Sequence, residues 1–433
     1  MYIDKQLFMN LKKIIVLIVL TSCCFIKDSN AQTDLSNSDE SKVPPYTLPD
    51  VLKMKNGKEV TNVKEWNNVQ RPYLYHLYEE IQFGEYPKMK IPIKYRLLEK
   101  DEHALDGIAT RKQVRIYLHP ADTSIYEDVL IYFPNGVSKP VPVFVGLNFT
   151  GNNEIQNDPG IILTQHWVPS KSRGAVNNRA TDSSRGAEAS QWQVKEILSH
   201  GYALATAYDG DLEPDNPDGW KTGIRTTLKD VLKIEPEQWS GMGAWAYGLS
   251  RIMDYFEKDK DIDAKKVALI GHSRLGKAAL WAGASDQRFA LVISNESGEG
   301  GAALSKRWYG ETVKIINKNF PYWFGAKYKT FGDNTAALPI DAHMLLSLIA
   351  PRPLYVASAE GDKWSDPKGE FLSAREAGRV YALFGKKGID VDSIPPVNHP
   401  VGNTVHYHIR TGKHDVTLYD WQQYLKFADE QLQ

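Results

Sequence analysis

Seven short apolar runs, at 114–118, 129–133, 141–147, 203–207, 267–270, 291–294 and 354–358, recur between residues 110 and 360. The last five are rich in Val, Ile, Leu and Ala without clean alternation, as strands covered on both faces require. Stretches 239–257, 276–284 and 370–384 carry apolar residues at helical spacing. This order predicts an α/β fold with a mostly parallel central sheet joined by right-handed crossovers. A chain of 433 residues can bury a large core, so one domain over 46–433 is expected. It would carry a less regular N-terminal extension at 46–110, with Tyr73, Tyr75, Tyr78 and Tyr86 packed toward the sheet. A polar, Gly-rich insertion at 152–191 is too long for a simple connection and is placed near the mouth of the site.

Residues 1–31 obey different rules. Lys12 and Lys13 precede an apolar run at 14–20 that is too short to span a bilayer but matches the core of a secretory signal; Met9 is an alternative start. Leu20-Thr21-Ser22-Cys23 reads as a lipobox, which would make a lipidated Cys23 the new N-terminus, while Ser29-Asn30-Ala31 offers a cleavage site for plain secretion. Either way export is expected, to the periplasm or the outer membrane as a lipoprotein with membrane attachment through its lipid, or as a secreted protein. The Ser-, Asp- and Asn-rich stretch 32–45 reads as a flexible tether. Both cysteines, Cys23 and Cys24, fall in the leader, leaving the folded part without a disulfide framework or a cysteine-based metal site. Lysine plus arginine (52) balance aspartate plus glutamate (53), so no global field favours nucleic acid. Eleven tryptophans and twenty-two tyrosines suit the apolar faces of sugars as well as an ordinary core.

The chemistry is carried by Gly271-His272-Ser273-Arg274-Leu275-Gly276-Lys277, which leads from an apolar run through a tight turn into a helix. A serine there is pushed outward at the sheet edge, and glycines let strand and helix approach. The pattern is G-x-S-x-x-G, one residue away from the commoner elbow expression. Arg274 follows at once; its backbone N–H would join an oxyanion hole, and its guanidinium could lean toward the same oxygen. A cation is unfavourable at a helix N-terminus, which favours a functional reason for it.

A serine hydroxyl needs an imidazole to take its proton and a carboxylate to orient that imidazole. His414 lies in a glycine-containing loop, Arg410 to Asp415, just before a terminal helix signal at 417–433, late in the chain as this kind of elbow requires. His406 and His408 alternate like a strand and read as structural. Two acids compete: Asp362 follows the run 354–358, and Glu296 follows the run 291–294.

These segments resemble the glucuronoyl esterases, a carbohydrate esterase family of α/β-hydrolase fold. The resemblance covers most of residues 90–425 and rests on several ordered segments. They are Gly146-Leu-Asn-Phe-Thr-Gly-Asn152, the elbow, Glu296-Ser-Gly-Glu-Gly-Gly301, Tyr309-Gly-Glu311, Asn319-Phe-Pro-Tyr-Trp-Phe324, Leu338-Pro-Ile-Asp341-Ala-His343, Ala350-Pro-Arg-Pro353, the stretch from Asp362 to Glu370, and Gly412-Lys-His414-Asp415. It implies an α/β-hydrolase three-layer sandwich and a serine esterase acting on 4-O-methyl-glucuronate esters of glucuronoxylan. Ser273 would attack and His414 serve as base; Glu296 would be the family's usual acid, with Asp362 its partner or substitute. Arg274 would complete the oxyanion hole, and Lys277, Glu311 and Trp364 would bind glucuronate hydroxyls. Their mixed donors and acceptors suit vicinal hydroxyls. No metal or cofactor is implied, and a monomer is expected. The chain departs from several family members in having His272 where they have cysteine, and Ala342 where a polar residue is expected. An acetyl-xylan or other carbohydrate esterase is the rival enzyme, and a non-catalytic glycan-binding lipoprotein the rival of another class.

Overall fold

The structure, a computed structural model, describes residues 36–89 and 91–432. The leader, with Cys23 and the two cleavage patterns, lies outside the described residues. Among those residues one sheet is built from β1 (Lys94–Ala104), β2 (Ala109–Tyr117), β3 (Tyr126–Pro134), β4 (Val141–Asn148), β5 (Ala203–Tyr208), β6 (Ile262–His272), β7 (Leu291–Asn295), β8 (Leu354–Ala359), β9 (Val401–Gly402) and β10 (Val405–Arg410). Their order is β1-β2-β3-β5-β4-β6-β7-β8-β10-β9. From β5 to β10 every neighbour is parallel, and antiparallel pairs stand at the two margins.

Side chains of β6 divide between two cores because successive residues of a strand point to opposite faces. Val267 and Leu269 join Trp245, Trp281 and Phe371 on one face, whereas Ala268 and Ile270 join Trp421 and Leu425 on the other. The first face is covered by α1 (Gly241–Phe256), α2 (Arg274–Ser285) and α3 (Pro367–Leu383), the second by α4 (Leu418–Gln431) and a short helix at Val194–Ser199. This is the three-layer α/β-hydrolase sandwich. The helix starts carry their own signals: the Ser240 hydroxyl accepts from Gly243 N, Asp366 caps α3 with Pro367 in its first turn, and Thr417 and Asp420 form a capping box on α4.

Two expectations are modified. The extension at 46–110 contains a regular eleven-residue strand, β1, and its boundary cuts into β2. β1 is an edge strand of mostly charged, exposed residues, so it lacks the apolar run by which the others announce themselves. Ahead of it the extension packs aromatics on a helix that covers the sheet and not on the sheet itself: Phe83 and Tyr75 stack on Trp281 of α2 at ring-centre distances of 4.6 and 4.9 Å. The end of the 32–45 stretch is docked and is not a free tether. Glu40 accepts from Arg307 Nη2 (2.8 Å) and Lys368 Nζ (2.6 Å), and the Asn37 carbonyl accepts from Gly310 N (2.7 Å). The polar residues that suggested flexibility supply those contacts. The insertion at 152–191 is fastened to the sheet through Asp158, which takes Arg111 Nη1 at 2.6 and 2.7 Å and the Tyr132 hydroxyl at 2.6 Å. No helix among the described residues is long and apolar enough to cross a membrane.

Candidate active site

β6 ends at His272 and α2 begins at Arg274, which leaves Ser273 alone in the turn at φ 54°, ψ −130°. A non-glycine residue adopts that region only when its surroundings impose it. Here they do: Ser273 N donates to Asn295 O (2.9 Å), and a Cβ on Gly271 would stand 2.1 Å from the Leu275 carbonyl. The preceding His272 gives its Nδ1–H to Asn295 Oδ1 (2.6 Å), since the Asn295 amide nitrogen is already committed to the Tyr424 hydroxyl (2.7 Å). Burial, aided by the charge of His414, pushes the His272 imidazole down to about 3, so it stays neutral.

His414 stands over this turn, its ring centre 4.5 Å from that of His272. The loops after β8 and β10 are tied together by Gly361 N donating to Gly412 O (2.8 Å). This brings Asp362 to the imidazole, and His414 Nδ1 donates to Asp362 Oδ2 at 2.6 Å. Glu296 Oε2 lies 3.1 Å from the same nitrogen, and its other oxygen takes Arg410 Nη2 at 2.6 Å. Both acids are therefore present, with Asp362 making the shorter contact. Burial opposes ionisation of Asp362, but the bond from His414 outweighs it and holds the carboxyl below its ordinary value. Glu296 is more deeply buried, and desolvation, only partly offset by His414 and Arg410, lifts it to about 7. The three groups lie within 4.8 Å of one another, close enough to hold a cation. With its Nδ1 protonated toward carboxylates, however, the imidazole presents no lone pair there.

For His414 burial favours the neutral ring, yet the bonds to Asp362 and Glu296 win and raise its pKa to about 9. A base must be neutral to accept a proton, so a raised pKa moves the acid limb of activity upward. Ester hydrolysis measured as kcat/KM in the free enzyme is expected to climb with pH through a midpoint near 9, well above the ordinary imidazole value of 6.5, and to level off only at higher pH. A limb centred below 6.5 would contradict this environment for His414.

Arg274, expected to lean its guanidinium toward the oxyanion, is held from one side by an acid. Its Nε lies 2.7 Å from Asp215 Oδ2 in an ionic contact whose N–H is not aimed at the oxygen, and its guanidinium covers the Phe149 ring at 4.3 Å. Asp215 is itself fixed, its Oδ1 accepting from the Tyr322 hydroxyl (2.9 Å) and Trp323 Nε1 (2.7 Å). Nη1 and Nη2 are the groups left for an oxyanion. Beneath them Asp209 is fully buried, and desolvation pushes its carboxyl well above the ordinary range.

The three residues expected to meet a sugar converge. Lys277, one turn into α2, is buried with its Nζ 4.0 Å from Glu311 Oε2 and 5.8 Å from the Trp323 ring centre. That gap is too long for a good hydrogen bond, so both groups keep capacity for a ligand. Burial lowers the Lys277 ammonium and raises the Glu311 carboxyl, each shift restrained by the other. Glu311 N donates to the Trp364 carbonyl (2.8 Å), and the Trp364 indole forms an exposed rim.

His408 is structural as read, fully buried between Asp420 Oδ1 and the Tyr355 hydroxyl, each at 2.9 Å, and His406 packs on Tyr355 and Phe427. Asp215, Phe149 and Arg410 were missed as parts of the site. Position just beyond an apolar run was the available signal for Phe149, whereas Asp215 lies eight residues past the run 203–207 among several aspartates.

A family model described as glucuronyl esterase, fungi, matches residues 234–385. A carbohydrate esterase from an unknown prokaryotic organism is 46% identical over 424 residues, 97% of this chain and 98% of its own length. A 4-O-methyl-glucuronoyl methylesterase of Phanerochaete chrysosporium is 35% identical over 157 residues, 34% of this chain and 33% of its own. The solved glucuronoyl esterase from Solibacter usitatus shares 50% identity, with a TM-score of 0.86 over 91% of this chain and 100% of that one. Matched along nearly its whole length in both sequence and fold, the chain belongs to the glucuronoyl esterase family of carboxylic ester hydrolases.

Proposed function

We propose that this protein hydrolyses the ester between 4-O-methyl-glucuronate side groups of glucuronoxylan and lignin alcohols, through an acyl-enzyme on Ser273. The observation that carries the reading is the imidazole of His414, held by two carboxylates beside the strained serine turn, next to a buried ammonium–carboxylate pair able to bind vicinal hydroxyls. His414 Nε2 takes the Ser273 proton as Oγ bonds to the carbonyl carbon. The oxyanion rests on Arg274 and main-chain N–H donors, the C–O bond to the alcohol breaks, and His414 returns the proton to the departing oxygen. Water then attacks the serine ester by the same route, freeing glucuronate and the Ser273 hydroxyl. Arg274 approaches from the side fixed by Asp215, where Phe149 excludes water from one face of the guanidinium. Export, with lipid on Cys23 or cleavage near Ala31, belongs to the same proposal and is supported by the leader pattern, and action as a monomer is proposed with it.

The test is a comparison of benzyl glucuronate with an acetylated xylo-oligosaccharide. A site built around hydroxyl-binding groups is expected to favour the glucuronate ester in kcat/KM by about 10³–10⁴-fold. Equal rates, or a preference for acetate release, would assign the site to a general carbohydrate esterase.

A further inference from the structure

Beside the catalytic mouth, Trp308 stands 41% exposed at φ 52°, a left-handed conformation unusual for a bulky residue. Its neighbours are locked while it is left out. Arg307 is buried between Asp366 Oδ2 and Glu40 Oε2, each at 2.8 Å, and the Tyr309 hydroxyl donates to Ser38 O (3.0 Å). Lys306 turns inward and donates to the carbonyls of Thr335, Ala336 and Leu338 at 3.2, 2.8 and 2.7 Å. These bonds set Trp308 on a groove of about 610 Å³ between the Pro44-Pro45-Tyr46 segment and the 332–336 loop. Backbone strain, buried ion pairs and a preformed wall are all spent on presenting one indole.

The electrostatics narrow the ligand. Lys306 turns its ammonium inward onto carbonyls with the charge of Asp341 nearby, and Lys314 pairs with Asp333, so the lining offers polar edges with its charges engaged inside the protein. A flat ring among such groups suits a neutral pyranose better than a phosphate or a uronate. The groove also lies close along the chain to the sugar-binding cluster. A Cβ on Gly310 would stand 2.3 Å from the Trp364 carbonyl, and Glu311 is three residues from Trp308, at most about 11 Å along the chain.

We propose that this groove is a second glycan subsite, in which Trp308 stacks on an unsubstituted stretch of the neutral pentosyl main chain of the polysaccharide whose uronate ester occupies the catalytic mouth. The proposal rests on the glucuronoxylan esterase reading above. It makes Trp308 a determinant of polymer affinity with no part in bond breaking.

The experiment uses the full chain. Xylohexaose, which has no ester, is titrated into wild type, Trp308→Phe and Trp308→Gly, the last because glycine suits the left-handed backbone; thermal melting confirms folding. Wild type is expected to bind, Trp308→Gly to lose about tenfold in affinity, and Trp308→Phe to recover most of it. With an esterified glucuronoxylan, Trp308→Gly should raise KM about tenfold at unchanged kcat, whereas benzyl glucuronate kinetics should not move. Unchanged xylohexaose affinity and polymer KM in the folded Trp308→Gly variant would overturn the subsite. So would a wild type that ignores xylohexaose yet binds phosphatidylethanolamine–phosphatidylglycerol vesicles through Trp308, an outcome that makes the patch a membrane contact. Failure of the parent reading is separately visible, as a wild type that binds xylohexaose but does not cleave benzyl glucuronate.

Discussion

Ser273→Ala is expected to lower kcat on benzyl glucuronate by about 10⁶-fold, the loss that follows removal of the nucleophile from a triad that acts as a unit. The missing atom is the one that must bond to the carbonyl carbon. Arg274, Lys277, Glu311 and Trp364 remain where they are, because the turn is held by main-chain bonds such as Ser273 N to Asn295 O and not by the hydroxyl. Substrate affinity measured by calorimetry should therefore be retained while single-turnover release of benzyl alcohol disappears. Hydrolysis that persists near the wild-type rate would end the acyl-enzyme mechanism.

The second large effect concerns the two acids. A triad carboxylate whose charge is removed commonly costs about 10⁴ in kcat. Here two carboxylates reach His414 Nδ1, at 2.6 Å from Asp362 and 3.1 Å from Glu296, so either can partly cover the loss of the other. Asp362 should matter more. Its carboxyl is held below the ordinary range and stays ionised, whereas Glu296 is pushed up to about 7 and shares its charge with Arg410. Asp362→Asn is thus expected to cost on the order of 10²-fold, Glu296→Gln less, and the double variant about 10⁴-fold, a non-additive pattern diagnostic of shared function. Asp362→Asn should also move the acid limb of kcat/KM to lower pH, because it removes the strongest bond raising His414. A larger loss in Glu296→Gln than in Asp362→Asn would reverse the assignment.

Seven strands were legible as apolar runs, five of them because burial on both faces favours unbroken apolar residues, and the order of those runs along the chain specified a mostly parallel sheet. β1 was not, since an edge strand needs no apolar face and this one has charged residues along it. Ser273, His414 and both acids could be named because each sits just past the end of an apolar run or at a glycine turn, where α/β sheets collect their chemistry. What a string of letters does not encode is side-chain direction. Asp209, Asp211, Asp215 and Asp218 are equivalent on that basis, yet Asp215 is the one that turns its carboxylate onto Arg274. Composition misled at 36–45 for a related reason: Glu40 and Asn37 look like solvated tether residues until Arg307 and Gly310 arrive from far along the chain.

The left-handed backbone at residue 273 sets durability against activity. Holding a side chain at φ 54° costs the native state about 1–3 kcal/mol, a sizeable part of the narrow margin by which a domain stays folded. Selection for robustness alone would install glycine there and relax the turn. A hydroxyl-bearing residue kept at that angle marks the point where this fold yields thermal resilience to chemistry.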